Sequence, residues 1–277
     1  MTVEIIEKHQ SFGGQQIKYR HDSTTLKCEM TFSLFLPPET KTAMPLIWWL
    51  SGLTCTDDNF SQKGAFQAYA AKNRVAFVMP DTSPRGAVAD SDDWDLGQGA
   101  SFYLNATQEP WQTNYQMYDY LTQELPAIVY SLLPNFSGKE SIMGHSMGGH
   151  GALMLGLKNP QRFSAISAFA PISNPMQVPW GKKAFTAYLG TATKTWKEWD
   201  ATELLKTVGT KHAPILITQG TNDNFYEVQL NEQAFLAAAD VADETINYRK
   251  EIGYDHSYYT IATFIEEHIA FHVSHLK

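Results

Sequence analysis

Cysteine is almost missing from this chain: Cys28 and Cys55 are the only two in 277 residues. That excludes a disulfide framework and makes a reducing compartment the expected setting. Positive charge is also short, with 21 Lys and Arg against 29 Asp and Glu and a formal net charge of −8. Such a balance argues against nucleic acid or an anionic membrane as a partner, and no basic patch interleaved with aromatics appears. No apolar run approaches the roughly 20 residues that a membrane-spanning helix needs. Linkers, repeats and low-complexity blocks are lacking too. The opening run from Met1 to Lys8 has no basic stretch followed by an apolar one, as a secretory signal would, so a cytoplasmic location is expected. What is present is 43% hydrophobic and 18% charged, a globular composition with ample length for a core.

Hydrophobic patterning divides the chain into alternating elements. Residues 3–36 read as antiparallel strands with a turn at Gly13-Gly14, and Met30 to Leu36 alternates with period two before Pro37-Pro38. Leu46 to Leu50 and Val75 to Met79 are short continuous apolar runs, as in strands buried on both faces. A helix is expected between them around 60–72. From Asp81 to Pro110 periodicity disappears, and a loop of that length usually has a function. Helical spacing resumes over 114–133. Phe163 to Ala170 reads as a strand, and 172–199 as an irregular segment rich in Pro, Gly and Trp. Strand 215–219, helix 226–239, strand 246–251 and helix 258–275 complete the chain. The alternation implies one α/β domain over 1–277, with a mostly parallel sheet, antiparallel N-terminal strands and helices on both faces. The loops near 81–110 and 172–199 would cover a pocket.

Within that frame Ser141 to Leu153 stands out. An apolar approach, Gly144-His145-Ser146-Met147-Gly148 and a small-residue run into a helix make the pattern of a nucleophile elbow. Ser146 would sit at a strained strand-to-helix turn, with Gly144 and Gly148 leaving room where strand and helix crowd together. The Met147 amide, at the start of that helix, would face a developing negative charge. A bare Gly-x-Ser-x-Gly match arises by chance in about one chain in ten of this size, so the remaining machinery has to be found.

A serine hydroxyl needs a base, and the base needs a group that orients it. In α/β-hydrolases these follow in the order Ser, acid, His, each after a strand. Asp223 lies in the loop leaving strand 215–219. His256 lies in the loop leaving strand 246–251. Asp255 is a rival acid, but sequence neighbours seldom reach side-chain hydrogen-bond geometry; Asp240 and Asp243 lie further from the strand end. The second oxyanion donor belongs in the loop after an early strand, which points to the Leu53 amide. Cys55, near the mouth, reads either as a small buried residue or as a thiol beside the site.

Other motifs are weaker. His145 and His150 are five residues apart, which suits buttressing of the elbow by hydrogen bonds better than metal binding. His268 and His272 share a helix face, where capping or solvation is the common role. The acidic cluster Asp90, Asp92, Asp93 and Asp95 fails the EF-hand spacing and reads as a solvated loop. No metal and no cofactor are expected.

The chain resembles the S-formylglutathione hydrolase (esterase D) family over nearly its whole length. The resemblance lies in Leu50 to Thr56, Asp81 to Gly86, Gly99 to Tyr103, Thr113 to Tyr115, the elbow, Ala168 to Ile172, Pro179 to Phe185 and Tyr254 to Tyr259. Residues 87–90 depart from it. It implies a cytoplasmic α/β-hydrolase that cleaves S-formylglutathione to formate and glutathione in formaldehyde detoxification, with side activity on short esters. It further implies the triad Ser146, Asp223 and His256, oxyanion amides at Leu53 and Met147, a homodimer, and sensitivity to thiol reagents through Cys55. An anionic leaving group also calls for local cations, for which Arg85, Lys182 and Lys183 are the candidates by position; Cys55 and Trp180 are the further substrate-binding candidates. A general carboxylesterase, an acyltransferase of the same fold and a catalytically silent binding protein are the alternatives.

Overall fold

Trp48 and Trp49 lie side by side in the strand Met44–Leu50 and point to opposite faces, as the two-residue period of a strand requires. Trp48 joins one buried apolar cluster and Trp49 the other, so this dipeptide threads the sheet between its two cores. Each indole N–H is satisfied, Trp48 by Glu140 at 2.7 Å and Trp49 by the Ser51 hydroxyl at 3.0 Å. Full burial of such rings contributes several kcal/mol only because those donors are paired.

The computed structural model describes residues 3–38, 42–86, 88–207, 212–230 and 232–277. Met1, Thr2 and Ala87 lie outside the described residues, so the readings of the opening run and of 87–90 are untested there. The strands are β1 (Val3–Ser11), β2 (Gly14–Ser23), β3 (Cys28–Leu36), β4 (Met44–Leu50), β5 (Ala76–Pro80), β6 (Phe136–His145), β7 (Phe163–Phe169), β8 (Ile215–Gly220) and β9 (Ile246–Glu251). They form one sheet in the order β1-β2-β3-β5-β4-β6-β7-β8-β9. The first four in that order pair antiparallel and the rest parallel. This is the mostly parallel α/β sheet expected, with its antiparallel N-terminal strands.

One face is covered by the helix Met147–Lys158 and its neighbours around Trp48, Phe102 and Phe185. The other carries Asp57–Lys63, Gln67–Asn73 and Tyr258–His275, packed around Trp49, Phe60, Phe66 and Ile265. Ring stacking is tight there, with Trp49 and Phe60 centroids 3.6 Å apart.

Three local readings need correction. The helix expected at 60–72 is two helices, because Ala65 takes a left-handed φ of 52° and turns Phe66 into the core. The segment 172–199 is not irregular: Pro179–Leu189 is an 11-residue helix with Pro179 in its first turn, where the missing amide hydrogen costs nothing. His268 and His272 are neither capping nor solvated. They are buried in a hydrogen-bonded row from Thr218 to His268 to the Ser167 hydroxyl to His272, with links of 2.8–2.9 Å. Within the non-periodic stretch after Asp81, Ala100 to Leu104 are wholly buried.

Candidate active site

Ser146 follows β6 directly, with φ 57° and ψ −117°, a conformation that costs a non-glycine residue about 1–3 kcal/mol. The surroundings enforce it. The Ser146 amide donates to the Phe169 carbonyl at 2.9 Å, and its own carbonyl accepts from His150 at 3.0 Å and Ile172 at 3.2 Å. A methyl group at Gly148 would lie 2.0 Å from the Leu50 carbonyl oxygen, and one at Gly144 2.2 Å from that of Gly148. Only glycine lets β4, β6 and the helix Met147–Lys158 approach this closely.

Asp223 and His256 leave β8 and β9 at the same edge. His256 Nδ1 donates to Asp223 Oδ2 at 2.5 Å, which leaves Nε2 as the ring's proton acceptor. Asp223 is buried and fixed further by the Phe225 amide at 2.9 Å and the Gln219 side chain at 3.2 Å. The rival Asp255 is occupied elsewhere: it accepts from the Ser257 amide and hydroxyl at the start of the last helix. Asp240 and Asp243 are exposed.

Ser146 and His256 line one cavity of about 320 Å³, together with Gly52, Leu53, Cys55, Trp94, Trp180, Phe225 and Tyr258. No hydrogen bond joins the Ser146 hydroxyl to the His256 ring among the described residues; such contacts are often long without substrate and tighten in the complex. The Met147 amide opens its helix, where no intrahelical acceptor exists. Neither it nor the Leu53 amide donates to a protein acceptor among the described residues, so both are available to an oxyanion.

The loop carrying Leu53 is braced from beneath. Tyr103 donates its hydroxyl hydrogen to the Ser51 carbonyl at 2.7 Å, and the Thr54 amide donates to the Gly99 carbonyl at 2.9 Å. The Cys55 carbonyl accepts from Thr82 Oγ1 at 2.6 Å and Arg85 Nη2 at 2.8 Å. Arg85 is simultaneously clamped on Asp81, with Nη2 at 2.8 Å. Its charge is therefore spent inside the protein, and it does not line the cavity. Lys183 is likewise paired, with Asp93 at 3.0 Å and with Asp95. Lys182 is exposed on the same helix and lies outside the cavity wall. Of the positions chosen for the substrate, Trp180 and Cys55 line the cavity; Arg85, Lys182 and Lys183 do not.

Burial sets the electrostatics. Desolvation pushes His145 well below the usual imidazole range, and the neighbouring His256 pushes it further in the same direction. His145 is thus a neutral wedge, its ring 4.4 Å from that of His256. His150 does not buttress the elbow as expected: neither ring nitrogen has a partner among the described residues, and the ring packs near Phe102 and Phe185. Burial raises the Cys55 thiol, with Tyr258 beside it partly offsetting the effect, so the thiolate form is disfavoured. Trp94 and the bracing pair Asp81 and Tyr103 escaped sequence reasoning. Trp94 sits in an acidic run that reads as solvated; only its indole, costly to leave in water, signals otherwise.

The chain matches the family model Esterase, described as "Putative esterase", over residues 23–273. It is also 43% identical to an S-formylglutathione hydrolase from Agrobacterium tumefaciens, covering 99% of each chain with a TM-score of 0.96. The chain belongs to the S-formylglutathione hydrolase family of esterases. Two Staphylococcus aureus structures share its fold at 20% identity. One is the S-formylglutathione hydrolase FrmB, with TM-score 0.73 over 93% of this chain and 98% of that one. The other is the fluorophosphonate-binding serine hydrolase FphF, with TM-score 0.75 over 94% and 98%. As an esterase-family member this chain has the α/β-hydrolase fold, and no helix among the described residues is long and apolar enough to cross a membrane.

Proposed function

We propose that this chain is a serine thioesterase that hydrolyses S-formylglutathione to formate and glutathione, with side activity on short-chain esters. The observation that carries the reading is the strained Ser146 in one cavity with a His256 whose Nδ1 is already held by buried Asp223. Its likeness to the Agrobacterium hydrolase supports the choice of substrate. The reading takes residues 1–277 as one hydrolase domain acting in the cytoplasm as a homodimer.

His256 Nε2 takes the Ser146 proton as the hydroxyl oxygen attacks the formyl carbon. The Leu53 and Met147 amides hold the oxyanion, each such donor being worth about 3 kcal/mol in a dry site. Glutathione leaves as the thiol, and a water, deprotonated by His256, releases formate. Asp223 keeps the proton on Nδ1 and stabilises the imidazolium formed at each step. A thiolate leaves readily, so oxyanion stabilisation outweighs protonation of the departing sulfur.

The test is kcat/KM for S-formylglutathione, S-acetylglutathione and short aryl esters, with alcohol acceptors added in parallel. A clear preference for the formyl thioester supports the reading. Equal use of all three, or transfer to alcohol exceeding hydrolysis, would replace it with a general esterase or an acyltransferase. Light scattering tests the dimer.

A further inference from the structure

We propose that Trp94 determines specificity by contacting the leaving-group end of the substrate, and that Lys183 holds it in place. This rests on the thioesterase reading above and extends it. Trp94 lines the same cavity as Ser146 yet is 58% exposed, so it stands at the rim. An aromatic line connects it to the reacting centre. Trp94 meets Trp180 edge to face at 5.5 Å, Trp180 meets Phe225 at 4.8 Å, and Phe225 meets the His256 ring edge to face at 5.0 Å.

The rim position is built. The residues on either side, Asp93 and Asp95, both pair with Lys183. Lys183 follows Trp180 by three residues on the helix Pro179–Leu189, which puts both on one side of it. One helix thus supplies the indole against which Trp94 packs and the cation that clasps its neighbours. The Gly97 amide, donating to the Tyr188 hydroxyl at 2.8 Å, ties the loop to the same helix again. The clasp also neutralises carboxylates that would repel an anionic thiol.

A formyl group is a single carbon and ends at Ser146. The part of the substrate that extends from there to the rim is the leaving group. The ligand class that fits is an extended peptidic thiol, lying along the Trp180 and Trp94 rings.

The experiment compares wild type, Trp94→Ala and Lys183→Met on two substrates with a shared acyl group, S-formylglutathione and methyl formate. An acyl series of p-nitrophenyl esters runs alongside. The ratio of kcat/KM between the two formyl substrates should fall about fivefold in Trp94→Ala, through KM, from loss of one aromatic contact. It should fall about twofold in Lys183→Met, the scale of a partly exposed ion pair. The acyl-length profile should keep its shape. An unchanged ratio overturns the assignment, and so does a changed acyl profile, which would place Trp94 on the acyl side. If the wild type leaves S-formylglutathione intact, the substrate reading fails on its own. The Trp94 assignment is then decided by p-nitrophenyl formate against methyl formate, where a fall in ratio supports it and no fall overturns it. Circular dichroism confirms that both variants are folded.

Discussion

The floor and the rim of the cavity are built by different means. The floor is set by backbone: the Leu53 loop and the positive-φ Ser146 line it, and behind them lie the Met147 amide and glycines with no room for a methyl group. The rim is side chain: Trp94, Trp180 and Phe225, with Trp94 standing in water and held through an ion-pair clasp. On the thioesterase reading, the chemistry lies where little can change without unfolding the site, and recognition lies where a single rotamer or charge can adjust it.

The contrast can be broken most severely at the base. Asp223→Asn should lower kcat by about 10⁴, because the amide no longer fixes the proton on Nδ1; a loss under tenfold in steady-state thioester hydrolysis would contradict the assignment. Next comes Gly148→Ala, whose methyl group would meet the Leu50 carbonyl oxygen at 2.0 Å. It should cost at least about 3 kcal/mol in denaturant unfolding or abolish folding. A variant of wild-type stability would show that the floor yields.

Arg85→Met probes the brace beneath the floor. Released from Arg85, the Cys55 carbonyl should let the Leu53 amide drift, lowering kcat about tenfold, or 1.4 kcal/mol, with KM nearly unchanged. Arg85→Lys should recover only part of it, since an ammonium cannot span Asp81 and Cys55 as a planar fork does. A change confined to KM would return Arg85 to the substrate.

The effect that is smallest at neutral pH is a slope. His150 is wholly buried, and desolvation lowers its pKa to about 3, against about 6.5 in an unfolded chain. The unfolded state therefore takes up a proton first as pH falls. The neutral ring's contribution is complete above pH 6.5 and declines below it, by about 1.4 kcal/mol per pH unit, until the folded ring also titrates near 3. His150→Leu, similar in volume and unable to titrate, should flatten the stability profile between pH 6.5 and 4. An unchanged slope in denaturant melts at successive pH values would move that acid sensitivity elsewhere.

What the sequence conveyed and what it hid follow the same division. The elbow was legible because glycine spacing around Ser146 is a local steric requirement. Asp223 and His256 were legible because each follows an apolar strand in the order the chemistry demands. Arg85 and Lys183 were read as substrate cations, but Arg85 turns beneath the Leu53 loop to pair with Asp81, four residues away. Lys183 meets Asp93 and Asp95 only once their loop packs on the helix Pro179–Leu189. The helix Pro179–Leu189 was hidden by its proline and glycine, although Trp180, Ala184, Tyr188 and the apolar residues between them already had helical spacing. His268 and His272 were read from their place near the terminus, whereas the last helix lies across the sheet and buries both.

The central claim is that Ser146 alone is the activated nucleophile. The measurement that tests it most directly is mass spectrometry of the protein after reaction with a fluorophosphonate, paired with residual thioester hydrolysis. The account predicts one phosphonyl group per chain on the Ser146 peptide, activity lost in proportion to labelling, and no labelling of Ser146→Ala. Label on another residue, or a fully labelled protein that still hydrolyses the thioester, would contradict it.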